Sequence, residues 1–319
     1  MSAVPEVPSE PGAPDAPATP PGSAVPPVPE VLAPLAARYV HWLRLPAART
    51  SDTSGEDPEQ VRAMAMVLRV ERGPAVRGPS HQQRGPAVRG PSHGHSAGPA
   101  VPGPSHGQRA GAAGRTPLLE AAASAAVAVC LDERAAPGGE WHEAVAAWVG
   151  GRIRKVTRRA RGAHWAAVQE LPGVTVVVSG GPGAGSGEVR ALVPGLVRET
   201  PREVSRLQIS GTDLPYDDPG EPIPGLPVVW LNPAVELTVG KAAAQVGHAT
   251  MLLAGALPAD RLASWRADGL RCSVRVASPK GWRSVLDAAA GGRSTVLVRD
   301  AGFTEVAPGT VTCAAQDGR

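Results

Sequence analysis

The stretch LTVGKAAAQVGHATM, residues 237–251, sets Lys241, Gln245 and His248 on one face of a predicted helix, spaced i, i+4 and i+7. Thr238 serves as the N-cap of that helix, which leaves Lys241 in the first turn. The helix dipole disfavours a cation there by about 0.3–1 kcal/mol. The chain holds only three lysines, Lys155, Lys241 and Lys280. One of them set against a dipole marks a position with a chemical duty. A second cluster, VRDAGFTEVAPGTVT at 298–312, puts Asp300 just after a predicted strand, in the crevice where α/β sheets hold ligands. Thr304, Thr310 and Thr312 follow closely. A carboxylate with hydroxyls and backbone N–H groups beside it can orient and deprotonate a water. The plainer alternatives are a solvated helix face for the first cluster and an Asx-turn with strand threonines for the second.

Alternating strands and helices must bring these groups together. AMVLRVE (65–71), VTVVV (174–178) and EVRALVPG (188–195) read as strands, and PLLEAAASAAVAVCLDE (117–133) as helix. Residues 140–160 read mainly as helix, with a break expected at Gly150-Gly151, and 201–209 as another helix. In the last third VVWLN, LRCSVRVAS, TVLVRD and VTCAA read as strands, around helices at 238–254, 258–269 and in KGWRSVLDAAAGG. The pattern predicts an α/β fold with a mixed β-sheet flanked by helices.

Residues 1–60 are expected to be a disordered Pro/Ala/acidic tail without hydrophobic period, with a possible short amphipathic helix at 31–45. The N-terminal α/β region, 61–212, is interrupted at 72–115, where RGPAVRGPSH occurs in tandem. Pro and Gly at that density stop helix and sheet alike, so a disordered loop is expected. His81, His93, His95 and His106 in this loop are copies of one repeat residue and pre-organise no metal site. A proline-rich linker, 213–227, leads to the C-terminal domain, 228–319.

Net charge is +3, but the first sixty residues carry eight acidic groups against three arginines. A basic run follows later: Arg152, Arg154, Lys155, Arg158, Arg159 and Arg161 are candidates for RNA phosphates or, equally, for an exposed element face. Three widely spaced cysteines argue against disulfides and zinc. Neither a secretory signal nor a membrane-spanning run is evident, which favours a soluble cytoplasmic protein.

The two thirds look like one unit twice. Trp148 and Trp165 share their spacing with Trp265 and Trp282, and AAASAAVAV (121–129) faces AAAQVGHAT (242–250). In that alignment Lys241 stands opposite Glu120 and Gln245 opposite Ser124, so the first copy would be degenerate and inactive.

The last ninety residues resemble the type 2 peptidyl-tRNA hydrolases. The family signature has a strand, a Gly-Lys at a helix start, small residues, Gln and Gly-His-Ala, here VVWLNPAVELTVGKAAAQVGHAT. It closes on Asp-Ala-Gly-x-Thr and Pro-Gly-Thr-x-Thr, here DAGFTEVAPGTVT, with SWRADGLRCSVRVAS between. Val239 and Phe303 depart from it, since the family often has Lys and Arg there. The resemblance implies catalytic roles for Lys241, Gln245, Asp300, Thr304, Thr310 and Thr312. It also implies a peptidyl-tRNA substrate, no cofactor or metal, and a monomeric pseudo-dimer or a homodimer. A non-catalytic RNA-binding or adaptor protein, or a hydrolase of another aminoacyl ester, would share this fold.

Overall fold

A computed structural model of the chain describes residues 31–71, 113–180, 185–209, 211–291, 294–303 and 305–318. The first thirty residues of the tail and the repeats at 72–112 lie outside them. Two helices open the described chain, α1 (Ala33–Arg44) and the single turn α2 (Ala47–Thr50). A first unit follows: β1 (Arg62–Arg69), α3 (Arg115–Leu131), α4 (His142–Gly150), β2 (Arg154–Ala160), α5 (Gly162–Gln169), β3 (Gly173–Ser179) and β4 (Ser186–Leu192). After β5 (Gly195–Leu196) and α6 (Arg202–Ser205) comes a second: β6 (Val228–Leu231), α7 (Val239–Ala256), α8 (Ala259–Ala267), β7 (Ser273–Val276), α9 (Pro279–Ala290), β8 (Thr295–Arg299) and β9 (Val311–Gln316).

The first sheet runs β2–β1–β4–β3, with β5 added along β1, and the second runs β7–β6–β9–β8. In each, the opening strand pairs in parallel with its crossover partner and antiparallel with the final strand. The expected mixed α/β architecture is therefore present twice. Both units also repeat local detail. Trp148 Nε1 donates to the Arg154 carbonyl at 3.0 Å, and Trp265 Nε1 to the Arg271 carbonyl at 2.7 Å. Ile153 (φ 44°) and Leu270 (φ 57°) are the described non-glycine residues in the left-handed region, one in each unit.

The helices α3 and α7 lie together between the sheets. α3 covers β3 and β4, α7 covers β8 and β9, and each also reaches an edge strand of the other unit, β7 and β2 respectively. This explains their composition: both helices are alanine-rich and buried over most of their surface, and α7 keeps its polar side chains on the one face, Lys241, Gln245 and His248, that meets the cleft. Small residues bring their axes close. A Cβ on Gly247 would lie 2.9 Å from the Ala126 Cβ, and Thr250 Oγ1 donates to the Ala123 carbonyl at 2.7 Å. Outer layers complete the stack, with Trp165 and Val168 of α5 packed with Val67 and Leu192, and Trp282 and Val285 of α9 with Ala314.

Four details differ from expectation. Residues 31–60 of the tail are not disordered but carry α1 and α2, because Tyr39 and Trp42 dock against Arg299 at the end of β8. Residues 140–160 are not mainly helix, because α4 ends at Gly150 and β2 begins at Arg154, paired along its length with β1. The helix at 201–209 is reduced to Arg202–Ser205, since Gln208 is drawn into a bridge with Arg159. The helix correspondence also shifts by nearly a turn. Gly114 and Thr238 cap α3 and α7, and the Thr250–Ala123 contact is mirrored by Ala126 against Gly247. Lys241 therefore matches Pro117, and Gln245 matches Ala121. Glu120 instead ties the units together, accepting from the Val274 N–H at 3.1 Å and the Arg275 guanidinium at 2.7 Å.

Candidate active site

Thr238 caps α7 as expected: its Oγ1 accepts the Lys241 N–H at 3.2 Å and donates to Glu305 Oε1 at 2.6 Å. The helix then carries Lys241 and Gln245 towards the end of β8. Lys241 Nζ lies 2.5 Å from Asp300 Oδ2, and Gln245 Nε2 donates to the same oxygen at 2.7 Å. The Gly302 N–H holds Oδ1, also at 2.7 Å. Thr312 Oγ1 donates to Gln245 Oε1 at 2.6 Å, which fixes the amide with its N–H₂ towards the carboxylate. Lys241 and Asp300 are only 12% and 6% exposed at the side chain. The cation set against the dipole thus has its counter-charge.

Of the six residues implied by resemblance, Lys241, Gln245, Asp300 and Thr312 converge. Thr310 does not join them through its side chain. Its Oγ1 donates to the Ala307 carbonyl at 2.8 Å, while its carbonyl accepts the Asp300 N–H at 2.8 Å. Thr304 lies outside the described residues. Among the described residues no group of three His, Cys, Asp or Glu side chains is placed to hold a metal ion.

The cluster opens into a cleft of about 1630 Å³ walled by both units. Lys155, Thr157, Arg152 and Arg154 enter from the first unit, Trp42 from α1, and Tyr216 from the segment before β6. The α1 helix secures the strand end that carries Asp300. The Arg299 N–H donates to Tyr39 Oη at 2.6 Å, the Trp42 indole to the Arg299 carbonyl at 3.3 Å, and the Arg299 guanidinium to the Leu43 carbonyl at 3.1 Å. Burial pushes the Tyr39 phenol above its ordinary range, so it stays protonated. Amphipathicity at 31–45 was the available signal for this helix; nothing local in the sequence ties it to Arg299.

The basic run divides. Arg152 and Arg154 pair with Glu56 at 2.7 and 2.5 Å. They stand 5.9 and 5.7 Å from the ring of Phe303, which is 49% exposed. Arg158 donates to the Leu207 carbonyl at 2.9 Å, and Arg159 to Gln208 Oε1 at 2.9 Å. Arg161 is exposed at the start of α5. Lys155 turns inward, with Nζ 3.1 Å from His248 Nδ1 and 4.9 Å from the Trp148 ring centroid. Burial, with Lys155 and Lys241 nearby, holds the His248 imidazole well below its ordinary pKa and therefore neutral.

Residues 227–317 match the family model described as Peptidyl-tRNA hydrolase PTH2. A protein named peptidyl-tRNA hydrolase from Metallosphaera sedula is 38% identical over 94 residues, spanning 27% of this chain and 80% of that relative. No solved structure matches the chain. The matched segment contains the whole Lys241–Gln245–Asp300–Thr312 network, and through it the chain belongs to the peptidyl-tRNA hydrolase PTH2 family.

Proposed function

We propose that the C-terminal unit hydrolyses the ester between a peptidyl, or N-blocked aminoacyl, group and the terminal ribose of tRNA, freeing the tRNA for reuse in the translating cytoplasm. The observation that carries this reading is the Lys241–Asp300 contact at 2.5 Å, shared by Gln245 and opening on the cleft. An ionised carboxylate has about four acceptor positions. Lys241 and Gln245 take Oδ2 and Gly302 takes one place on Oδ1, which leaves Oδ1 able to receive a proton from water. Water attacks the ester carbonyl as Asp300 takes its proton. The carbonyl π pair moves to oxygen, where the Lys241 ammonium stabilises it. Collapse of the tetrahedral species breaks the carbonyl–ribose bond, and the ribose oxygen leaves with the proton that Asp300 took from water, which restores the carboxylate. Gln245, steadied by Thr312, keeps the carboxylate aligned. Neither metal nor cofactor is required by this sequence of steps. Both units wall the cleft, so one chain supplies what a subunit pair otherwise would, and we read the protein as a monomer.

The test is release of N-acetylaminoacyl groups from tRNA by the full chain, with Lys241→Ala, Asp300→Asn and unblocked aminoacyl-tRNA alongside. Loss of one transition-state contact of this kind should lower turnover by about 10²–10³-fold. Wild-type rates in either variant would overturn the site. Turnover of the unblocked ester would redirect the substrate, and tight tRNA binding without hydrolysis would mark an adaptor.

A further inference from the structure

We infer that Lys155, carried by β2 of the first unit, is an anion-receiving residue of the cleft that takes a phosphodiester near the tRNA terminus. The inference rests on the substrate class proposed above, but its test does not need hydrolysis.

Lys155 and His248 line the same cleft as Lys241, Gln245 and Asp300, and His248 sits one turn beyond Gln245 on the same face of α7. The groups around the Lys155 amine carry no negative charge. From α7 it meets the neutral His248 imidazole, and from α4 the Trp148 ring. Cys130 of α3 is nearby, its thiol pushed up to about 12 by burial and so protonated. The β1 residue paired with it is Met64. Lys241, nearer the start of α7, is already balanced by Asp300. Arg152 and Arg154 have Glu56. Among the described residues, no carboxylate forms an ion pair with Lys155. Burial without that partner draws the amine down to about 7.

The repeated unit supplies an internal control. By the shared Trp spacing and the helix caps, Lys155 and His248 correspond to Cys272 and Ser124. Those two are hydrogen-bonded, buried and uncharged, and they line no part of the cleft. The fold is therefore satisfied by small neutral groups at this junction. The amine and the imidazole occur on the side that opens to substrate. A phosphodiester entering there would provide the absent counter-charge, and the amine would take up a proton as it binds.

With three lysines in the chain, the Lys155 Cε resonance can be followed in ¹³C-lysine-labelled full-length protein. The probe is the dinucleotide CpA, with adenosine as the uncharged control. We expect Lys155 to titrate near neutral pH in the free protein and to move upward by a unit or more with CpA, but not with adenosine. CpA affinity should be full below pH 7 and fall as pH rises through it. Lys155→Met should weaken CpA at pH 6 by about ten- to a hundredfold, the value of one charge-assisted contact, and abolish that pH dependence. Lys155→Arg should restore binding and extend it above pH 8. An ordinary lysine titration, a CpA-insensitive resonance, or a folded Lys155→Met protein that binds CpA like wild type would overturn the inference. A Lys155 that responds to CpA in a protein without esterase activity would sink only the hydrolase reading. Hydrolysis with an unchanged KM in Lys155→Met would sink only this one.

Discussion

Replacing Lys241 with methionine should separate the structural part of the site from its chemistry. Asp300 would be left as a buried carboxylate without its cation. Removing one partner of a buried ion pair typically costs about 3–5 kcal/mol. Two corrections apply. Asp300 keeps its hydrogen bonds from Gln245 and Gly302. Removing a cation from the first turn of α7 also returns about 0.3–1 kcal/mol of unfavourable dipole interaction. A loss of about 2–4 kcal/mol is therefore expected, a large share of the ~5–15 kcal/mol that holds most domains together. Adding Asp300→Asn removes the stranded charge. The amide chain can then invert, with the introduced side-chain amide donating to Gln245 Oε1 and Thr312 Oγ1 accepting from Gln245 Nε2. Thr312 can make that turn because the Val298 carbonyl lies 3.4 Å from its hydroxyl and can take the proton. The double variant should return to within about 1 kcal/mol of wild type, the sign of strong pairwise coupling. Its turnover should stay as low as that of either single variant. Urea unfolding followed by tryptophan fluorescence, beside release of N-acetylaminoacyl groups, reads both quantities. A stable Lys241→Met protein, a double variant no better than the poorer single one, or recovered turnover would each refute the reasoning.

Thr312→Val keeps shape but leaves Gln245 Oε1 buried without its donor, at about 1–3 kcal/mol; kcat should fall with little change in KM, and an unchanged kcat would remove Thr312 from the site. Gly247→Ala drives a methyl to 2.9 Å from the Ala126 Cβ and should destabilise by about 1–3 kcal/mol in denaturant titration. Thr238→Ala removes both the helix cap and the Glu305 contact, so a stability loss near 1 kcal/mol is expected from the cap alone. Burial pushes the thiols of Cys130, Cys272 and Cys313 up to about 12, so at pH 8 iodoacetamide should label them only after unfolding; rapid native labelling, read by mass spectrometry, would contradict their placement.

Much of the C-terminal site was legible because its residues announce themselves locally. A lysine at a helix start, a Gln one turn later and an Asp after a strand meet in three dimensions. Thr310 stands apart in that its hydroxyl donates to the Ala307 carbonyl of its own loop. Residues 152–161 were harder still. Their charges suited RNA phosphates and an exposed element face equally, and pairing with β1 places them in a strand whose side chains serve distant partners such as Glu56 and His248. No local pattern carries that information, because those partners lie almost a hundred residues away in both directions. The duplication was visible through tryptophan spacing, yet the helix register slipped, since alanine-rich segments match in more than one alignment.

Gly240 and Gly247, within the stretch that opened the sequence, are sized to the other half of the chain. A Cβ on Gly240 would meet Thr157 Oγ1 at 2.8 Å, and one on Gly247 would meet Lys155 Cε at 3.1 Å. The segment that matches the family is thus cut to fit a neighbour that lies outside the matched residues. Severing the chain at 213–227 would lay bare a long apolar flank of α7 and remove one wall of the cleft. The unit without the Lys241–Asp300 pair is thus the mould against which the unit that has it takes its shape.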